Sequence, residues 1–404
     1  MSEGKPKEAK RTVMRTAQAA NRKRIPIPSD KRWPMSQSIT KLQGTAIVLM
    51  AISPTAMLVV PKNVMNVVEQ DAWMSLVLSI AVAAVAAWGL GSFASQAIGG
   101  VPYQRWLRGK AGRWVATLGG GLLAAYYYSI ASVALHEFIS FVSAEVLEYT
   151  PKTVLKGVVV LVLMFMAAQG IEATARICVL AMLAMAPLML LAFVLLLGEM
   201  DWHQLLPIAD HSWHSVALGG IVPFGWFSES AIILLIAPYM IRQKDAVGSA
   251  VNGVLISGSM LLFTVLQSLL VFGPRLVRSM DYAPFELFAL IEVGNFFERV
   301  EVLFIVFWMA TVFLKLGLFF QGAVHLLETT LRMPFRRMPL LAGIGLLLWL
   351  DSSTSWPRDM NETLTTSVTT ALLFGCNLLL PLLLAALCRL HGRVERSGGD
   401  GANE

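Results

Sequence analysis

Val222-Pro223-Phe224-Gly225-Trp226-Phe227-Ser228-Glu229 sets a proline, a glycine and a carboxylate inside an apolar block at 216–238, and Ile52-Ser53-Pro54-Thr55-Ala56 interrupts the block at 42–60 in a similar way. Proline removes an intrahelical donor and clashes with the preceding turn. Glycine tolerates unwound backbone. In lipid, freed carbonyls and amides persist only where protein or a cavity satisfies them. The two interrupted blocks are the first and sixth of ten; the others fall at 72–92, 114–142, 154–169, 174–198, 247–272, 301–327, 339–351 and 366–388. Breaks five blocks apart, one in a span running outward and one in a span running inward, are what two inverted five-helix repeats produce, with a midplane site between them. Pro187 and Pro381 lie in other blocks, so a purely structural kink stays open as an alternative. The expected fold is an all-α integral membrane protein: ten transmembrane helices, two inverted five-helix repeats, helices 1 and 6 broken.

Composition agrees. Of 404 residues, 56% are hydrophobic and 14% charged, against about 25% charged in soluble domains. That excludes a disordered chain and an ordinary cytosolic enzyme. A span needs roughly 20 residues, and the ninth block is short of it. Cys178, Cys376 and Cys388 have no CxxC spacing and read as small apolar helix residues. No Walker loop, Rossmann glycine pattern, GxSxG or metal-ligand cluster occurs in a suitable context, so neither an enzyme nor a cofactor is expected.

Charge orients the chain. Residues 1–41 form a polar, basic tail, expected to be disordered and to lie on anionic lipid rather than nucleic acid. Most of the 32 Lys and Arg fall in this tail, in loops carrying Arg105, Arg108, Lys110 and Arg113, then Arg176, then Arg242 and Lys244, then Arg332, Arg336 and Arg337, and in a C-terminal tail at 389–404. The intervening loops hold only Lys62, Lys152, Lys156, Arg275, Arg278, Arg299 and Arg358. The asymmetry favours ten spans over 42–388 with both ends cytoplasmic.

Two charges lie at membrane depth, Glu229 in span six and Lys315 in span eight. A charge at the bilayer centre costs at least about 2.5–3.5 kcal/mol, so such residues face a cavity or a partner. Both are expected to face the bundle interior, pairing directly or flanking one cavity; a structural ion pair and a binding or proton-linked site both stay open. His136-Glu137 continues without a second histidine and is no zinc site. Tyr126-Tyr127-Tyr128 reads as packing before cavity lining. The connection at 273–300 holds an apolar stretch around Phe285, Phe288 and Ala289, expected to be an interfacial helix lying over the bundle. The candidate ligand-binding residues are Ser53, Thr55 and Ala56 at the first break and Phe224, Gly225, Trp226 and Ser228 at the second, with Glu229 and Lys315 setting the local charge. Backbone groups at the breaks would hold the carboxylate and ammonium of an amino acid.

Longer stretches carry a resemblance. Phe285-Glu286-Leu287 through Ile291, Asn295-Phe296-Phe297-Glu298-Arg299-Val300-Glu301, Phe307-Trp308 and Phe313-Leu314-Lys315 stand in this order. Gly170-Ile171-Glu172 with Ala175-Arg176 opens span five, and Gln70-Asp71-Ala72-Trp73 precedes span two. Leu205-Leu206-Pro207 and Val271-Phe272-Gly273-Pro274 also fit. Over about 38–330 the chain resembles the spore germination permease-like subunit, the B subunit of nutrient germinant receptors in endospore-forming bacteria, within the amino acid/polyamine/organocation transporter superfamily. Ser53-Pro54-Thr55-Ala56 replaces that family's glycine-rich first break, and Phe227 stands where it has glycine. The resemblance implies sensing of a small, amino acid-like germinant in the spore inner membrane, beside an A-type membrane subunit and a C-type lipoprotein. An amino acid transporter of the same fold is the alternative, and a scaffold or ion/water pathway a third.

Overall fold

The computed structural model describes residues 38–98, 100–280, 282–291, 300–331, 337–351, 369–385 and 387–388. Residues 1–37, the C-terminal tail at 389–404 and residues 295–299 of the quoted motif lie outside the described residues, whereas residues 38–41, expected to belong to the disordered tail, are ordered, with Ile39 fully buried. Among the described residues every regular element is helical; Ile39 and Met240 form an isolated parallel bridge. The helices are α1 Lys41–Val68, α2 Ala72–Phe93, α3 Tyr103–Phe141, α4 Lys152–Gln169 and α5 Ile171–Leu196. They continue as α6 Trp213–Tyr239, α7 Asp245–Ser279, α8 Val300–Leu331, α9 Arg337–Asp351 and α10 Thr370–Ala385.

Among the described residues, seven helical stretches are long and apolar enough to cross a membrane. The first of them, Lys41–Gln96, takes in both α1 and α2, which part at a tight turn over Glu69–Asp71. The 15 residues of α9 span about 22 Å at 1.5 Å per residue, short of the roughly 30 Å hydrocarbon core. α3 bends at Gly112 and α7 at Gly273. α4 ends at Gly170, whose φ of 90° is open to glycine and costly for other residues.

The bundle is held by close approach between helices. α7 packs along α1 and α2, and α8 along α3. At Gly253 a Cβ would lie 2.5 Å from Cβ of Val48, so α7 reaches α1 only because no side chain stands there. Hydroxyls add crosslinks: Ser75 donates to the carbonyl of Val216 at 2.7 Å, and Ser249 to that of Lys41 at 3.0 Å.

Three expectations need correction. α1 runs as one helix through Pro54 and Pro61, and the unwinding expected at Ser53-Pro54-Thr55-Ala56 does not occur. Every residue from Met50 to Ala56 is buried against neighbouring helices, and the Trp308 indole donates to the Pro54 carbonyl at 2.9 Å. Proline removes one donor; packing on all sides keeps the remaining turns helical. α6 is irregular without being unwound: Ser228–Ile232 tightens into a 3₁₀ turn with helical dihedrals on either side. The helix at Ala283–Ala289 exists, but its buried face is Ala283, Pro284, Leu287 and Phe288, whereas Ala289 is exposed. It is packed on the bundle, with Phe288 stacked on Phe304 at 3.8 Å and Phe285 edge-on to Phe141.

Candidate functional site

α1, α6 and α8 meet at the two intramembrane charges. Lys315 Nζ donates to Glu229 Oε2 at 2.8 Å and to Thr55 Oγ1 at 2.7 Å. The ammonium lies 4.7 Å from the Trp226 ring centroid and 5.5 Å from that of Phe319. A cation over an aromatic face is attracted by the ring quadrupole, more so when desolvated. Lys315 is 0% exposed and Glu229 1%. Water is therefore excluded from the pair, and each charge depends on the other. Glu229 Oε1 is also buried and has no hydrogen-bond partner among the described residues. Glu137 on α3 lies within electrostatic reach of both Lys315 and Glu229.

Local sequence explains the placement. Glu229 is the second residue of the tightened turn, which follows Pro223 and Gly225 in chain order. Lys315 is one turn before Phe319 on α8, so its stem runs beside that ring. Thr55 directly follows Pro54, whose carbonyl is engaged by Trp308 of the same α8.

The remaining candidates divide. Ser53 is buried and hydrogen-bonded to Ser257 of α7 at 2.8 Å, away from the charge pair. Ala56 is buried in the core. Phe224 packs on Phe374 of α10 at 5.2 Å between centroids. The Gly225 carbonyl accepts from the Ser228 hydroxyl at 2.5 Å. Thr55, Trp226, Glu229 and Lys315 are thus brought together; Ser53, Ala56, Phe224, Gly225 and Ser228 engage other partners or the core.

Sequence reasoning passed over Asn377 here, and quoted Asp71 only as part of a motif. Asn377 donates to Tyr126 Oη at 2.7 Å and to Ser228 Oγ at 3.1 Å, joining α10, α3 and α6 one residue from Glu229. It sits in a widened turn at Gly375–Leu379. A lone amide at membrane depth was the available signal. Asp71 is fully buried at the α1–α2 turn. It accepts from the backbone N–H groups of Ala209 at 2.8 Å and His211 at 2.9 Å, and pairs with His211 Nδ1 at 3.0 Å. Gln70 donates to the Pro207 carbonyl at 3.2 Å, so the connection between α5 and α6 is clasped to the end of α1.

The family model described as spore germination protein matches residues 38–359. The chain belongs to that family. Spore germination protein YndE of Bacillus subtilis is 22% identical over 367 residues, covering 89% of this chain and 99% of that one. Spore germination protein XB of Bacillus anthracis is 25% identical over 225 residues, covering 53% of this chain and 59% of its own length.

Several solved structures share the fold. The Mhp1 nucleobase-cation symporter in a closed conformation superimposes with TM-score 0.62 at 14% identity, covering 87% of this chain and 78% of that one. A Na⁺-coupled sialic acid symporter gives 0.59 at 12%, covering 89% and 79%. MhsT in complex with L-phenylalanine gives 0.54 at 12%, covering 87% and 98%. This germination-family chain is a multi-pass membrane protein with a permease-like fold.

Proposed function

We propose that the chain is the membrane-embedded subunit of a spore nutrient germinant receptor and binds a small, amino acid-like germinant where α1, α6 and α8 meet. One observation carries the reading: a lysine and a carboxylate, both without solvent exposure, are paired at that junction. Charges at membrane depth are costly and mark functional sites by default.

In this reading the chain crosses the membrane ten times as two inverted repeats. The packing supports it. α2 lies on α7, α3 on α8 and α4 on α9, while α1 on α7 is mirrored by α6 on α2. Exchanging each helix with the one five places along leaves that pattern unchanged, as a pseudo-two-fold axis requires. Both termini are cytoplasmic by the Lys and Arg distribution. The spore inner membrane is the location, with an A-type membrane subunit and a C-type lipoprotein as partners. Because α1 is continuous, side chains take the role that unwound backbone would have had: Thr55, Trp226, Glu229 and Lys315 contact the germinant, and Ser53, Ala56, Phe224, Gly225 and Ser228 shape the surroundings.

The purified chain in lipid nanodiscs is expected to bind labelled amino acid saturably, and proteoliposomes of it to show no accumulation. Absence of saturable binding overturns the site. Accumulation selects the second reading, an amino acid transporter, which the symporter fold favours.

A further inference from the structure

Two features of the junction bear on which ligands it takes. The first concerns supply of counter-charge. α1 is helical through Pro54, so its mid-span amides are engaged and offer nothing to a carboxylate. A ligand's charges must then meet side chains, and the junction holds one paired charge of each sign, with Glu137 of α3 a second carboxylate within electrostatic reach. The second is asymmetry within the pair. Glu229 Oε2 holds Lys315, whereas Oε1, equally buried, has no partner among the described residues. Of the three donors on the Lys315 ammonium, Glu229 and Thr55 take two.

We infer that Glu229 and Lys315 are an exchangeable internal salt pair, opened by a ligand that carries both a free ammonium and a free carboxylate. The ligand carboxylate takes Lys315 and the ligand ammonium takes Glu229, so neither member of the pair is left without a counter-charge. A ligand with one charge leaves one protein charge uncompensated, which the buried setting penalises. The pair therefore selects zwitterions over amines and over acids. The surroundings allow it to open. Glu229 lies on the 3₁₀ turn of α6, and the widened turn of α10 faces it through the Asn377–Ser228 hydrogen bond. Such irregular turns in helices mark hinges and functional sites. The Trp226 face, already against the lysine ammonium, can also receive a ligand ammonium.

The inference rests on the junction being a ligand site, and the experiment separates the two. The unaltered chain in nanodiscs is titrated by equilibrium dialysis with the proteinogenic amino acids, then with the amide and the 2-hydroxy acid of each one that binds. The amide lacks the carboxylate and the hydroxy acid lacks the ammonium. Both are expected to bind at least tenfold more weakly than the parent. An amide or hydroxy acid within tenfold of its parent overturns charge exchange and leaves the site standing; no binding by any amino acid overturns both. The double variant Glu229→Gln with Lys315→Met is expected to lose at least tenfold in affinity for the parent amino acid, and unchanged affinity overturns the exchange. Should that variant fail to fold, the analogue series on the unaltered chain decides.

Discussion

Lys315→Met tests the junction most directly. It strips Glu229 of its counter-charge and Thr55 of its donor in one step. Glu229 is then buried with both oxygens unpartnered, since Oε1 already lacks a partner. Removing one member of a buried pair costs roughly 3–5 kcal/mol, about two to three and a half orders of magnitude in the folding equilibrium at 1.4 kcal/mol per decade. That is a large part of the roughly 5–15 kcal/mol that holds a typical protein folded. Glu229→Gln strands the ammonium instead and falls in the same range. The double variant removes both charges while keeping the volume, and leaves a buried amide whose unmet hydrogen bonds cost roughly 1–3 kcal/mol, far less than the two single variants summed. The coupling in the cycle should therefore exceed the roughly 0.5–3 kcal/mol typical of neighbours. Reversible unfolding in mixed micelles, followed by far-ultraviolet circular dichroism, measures all four forms. Single variants within about 1 kcal/mol of the parent, with an additive double, would refute the reasoning: the pair would then be hydrated and screened like a surface contact.

Other perturbations probe the frame. Asp71→Asn replaces an acceptor of three hydrogen bonds by a group that also donates, and at roughly 1–3 kcal/mol per unsatisfied buried group it should loosen the connection between α5 and α6; proteolysis within 199–212 reads this, and an unchanged cleavage rate contradicts the clasp. Gly253→Ala puts a methyl 2.5 Å from Cβ of Val48 and should cost about 1–3 kcal/mol, seen as a lower unfolding temperature; a neutral effect would mean α1 and α7 are not in contact there. Asn377→Leu removes both donors to Tyr126 and Ser228 and should cost roughly 1–3 kcal/mol; an unchanged unfolding temperature would place α10 elsewhere.

What the sequence made legible was whatever lipid penalises. Glu229 and Lys315 stand out in apolar blocks because few ionisable groups are tolerated there, and they are indeed partners. Helix positions follow from apolar length, and Gly170 marks a helix boundary because its conformation suits glycine. The state of α1 was not legible. Ser53-Pro54-Thr55-Ala56 reads the same whether its backbone unwinds or stays helical. The outcome depends on Trp308, 254 residues away, and on the packing of α7, neither of which is a local property. The same holds for Asn377 and Asp71, whose chain identity is plain but whose partners lie 149 and 140 residues off. The buried face of Ala283–Ala289 depended on where α3 and α8 end.

The intact α1 also changes what distinguishes a receptor from a transporter. With the pair closed, the junction offers an incoming zwitterion no counter-charge, so the ligand binds the open arrangement with preference. That differential affinity is what shifts a two-state balance. Opening the pair demands a change only around α6, α8, the widened turn of α10 and the Thr55 side chain. Transport requires more: the Lys41 end of α1 must also separate from its neighbours. That end is tied down three ways. Ile39 donates to the Tyr239 carbonyl at 2.8 Å and accepts from the Ile241 amide at 3.0 Å. Ser38 N–H donates to Glu172 of α5 at 3.1 Å. Ser249 of α7 donates to the Lys41 carbonyl at 3.0 Å. A chain that only senses keeps these contacts while the charge pair exchanges; a chain that carries its ligand through must break them in every cycle. A tether joining residue 39 to residue 240, such as a disulfide between cysteines introduced there, therefore leaves zwitterion binding intact in either case and abolishes accumulation in proteoliposomes only if the chain transports.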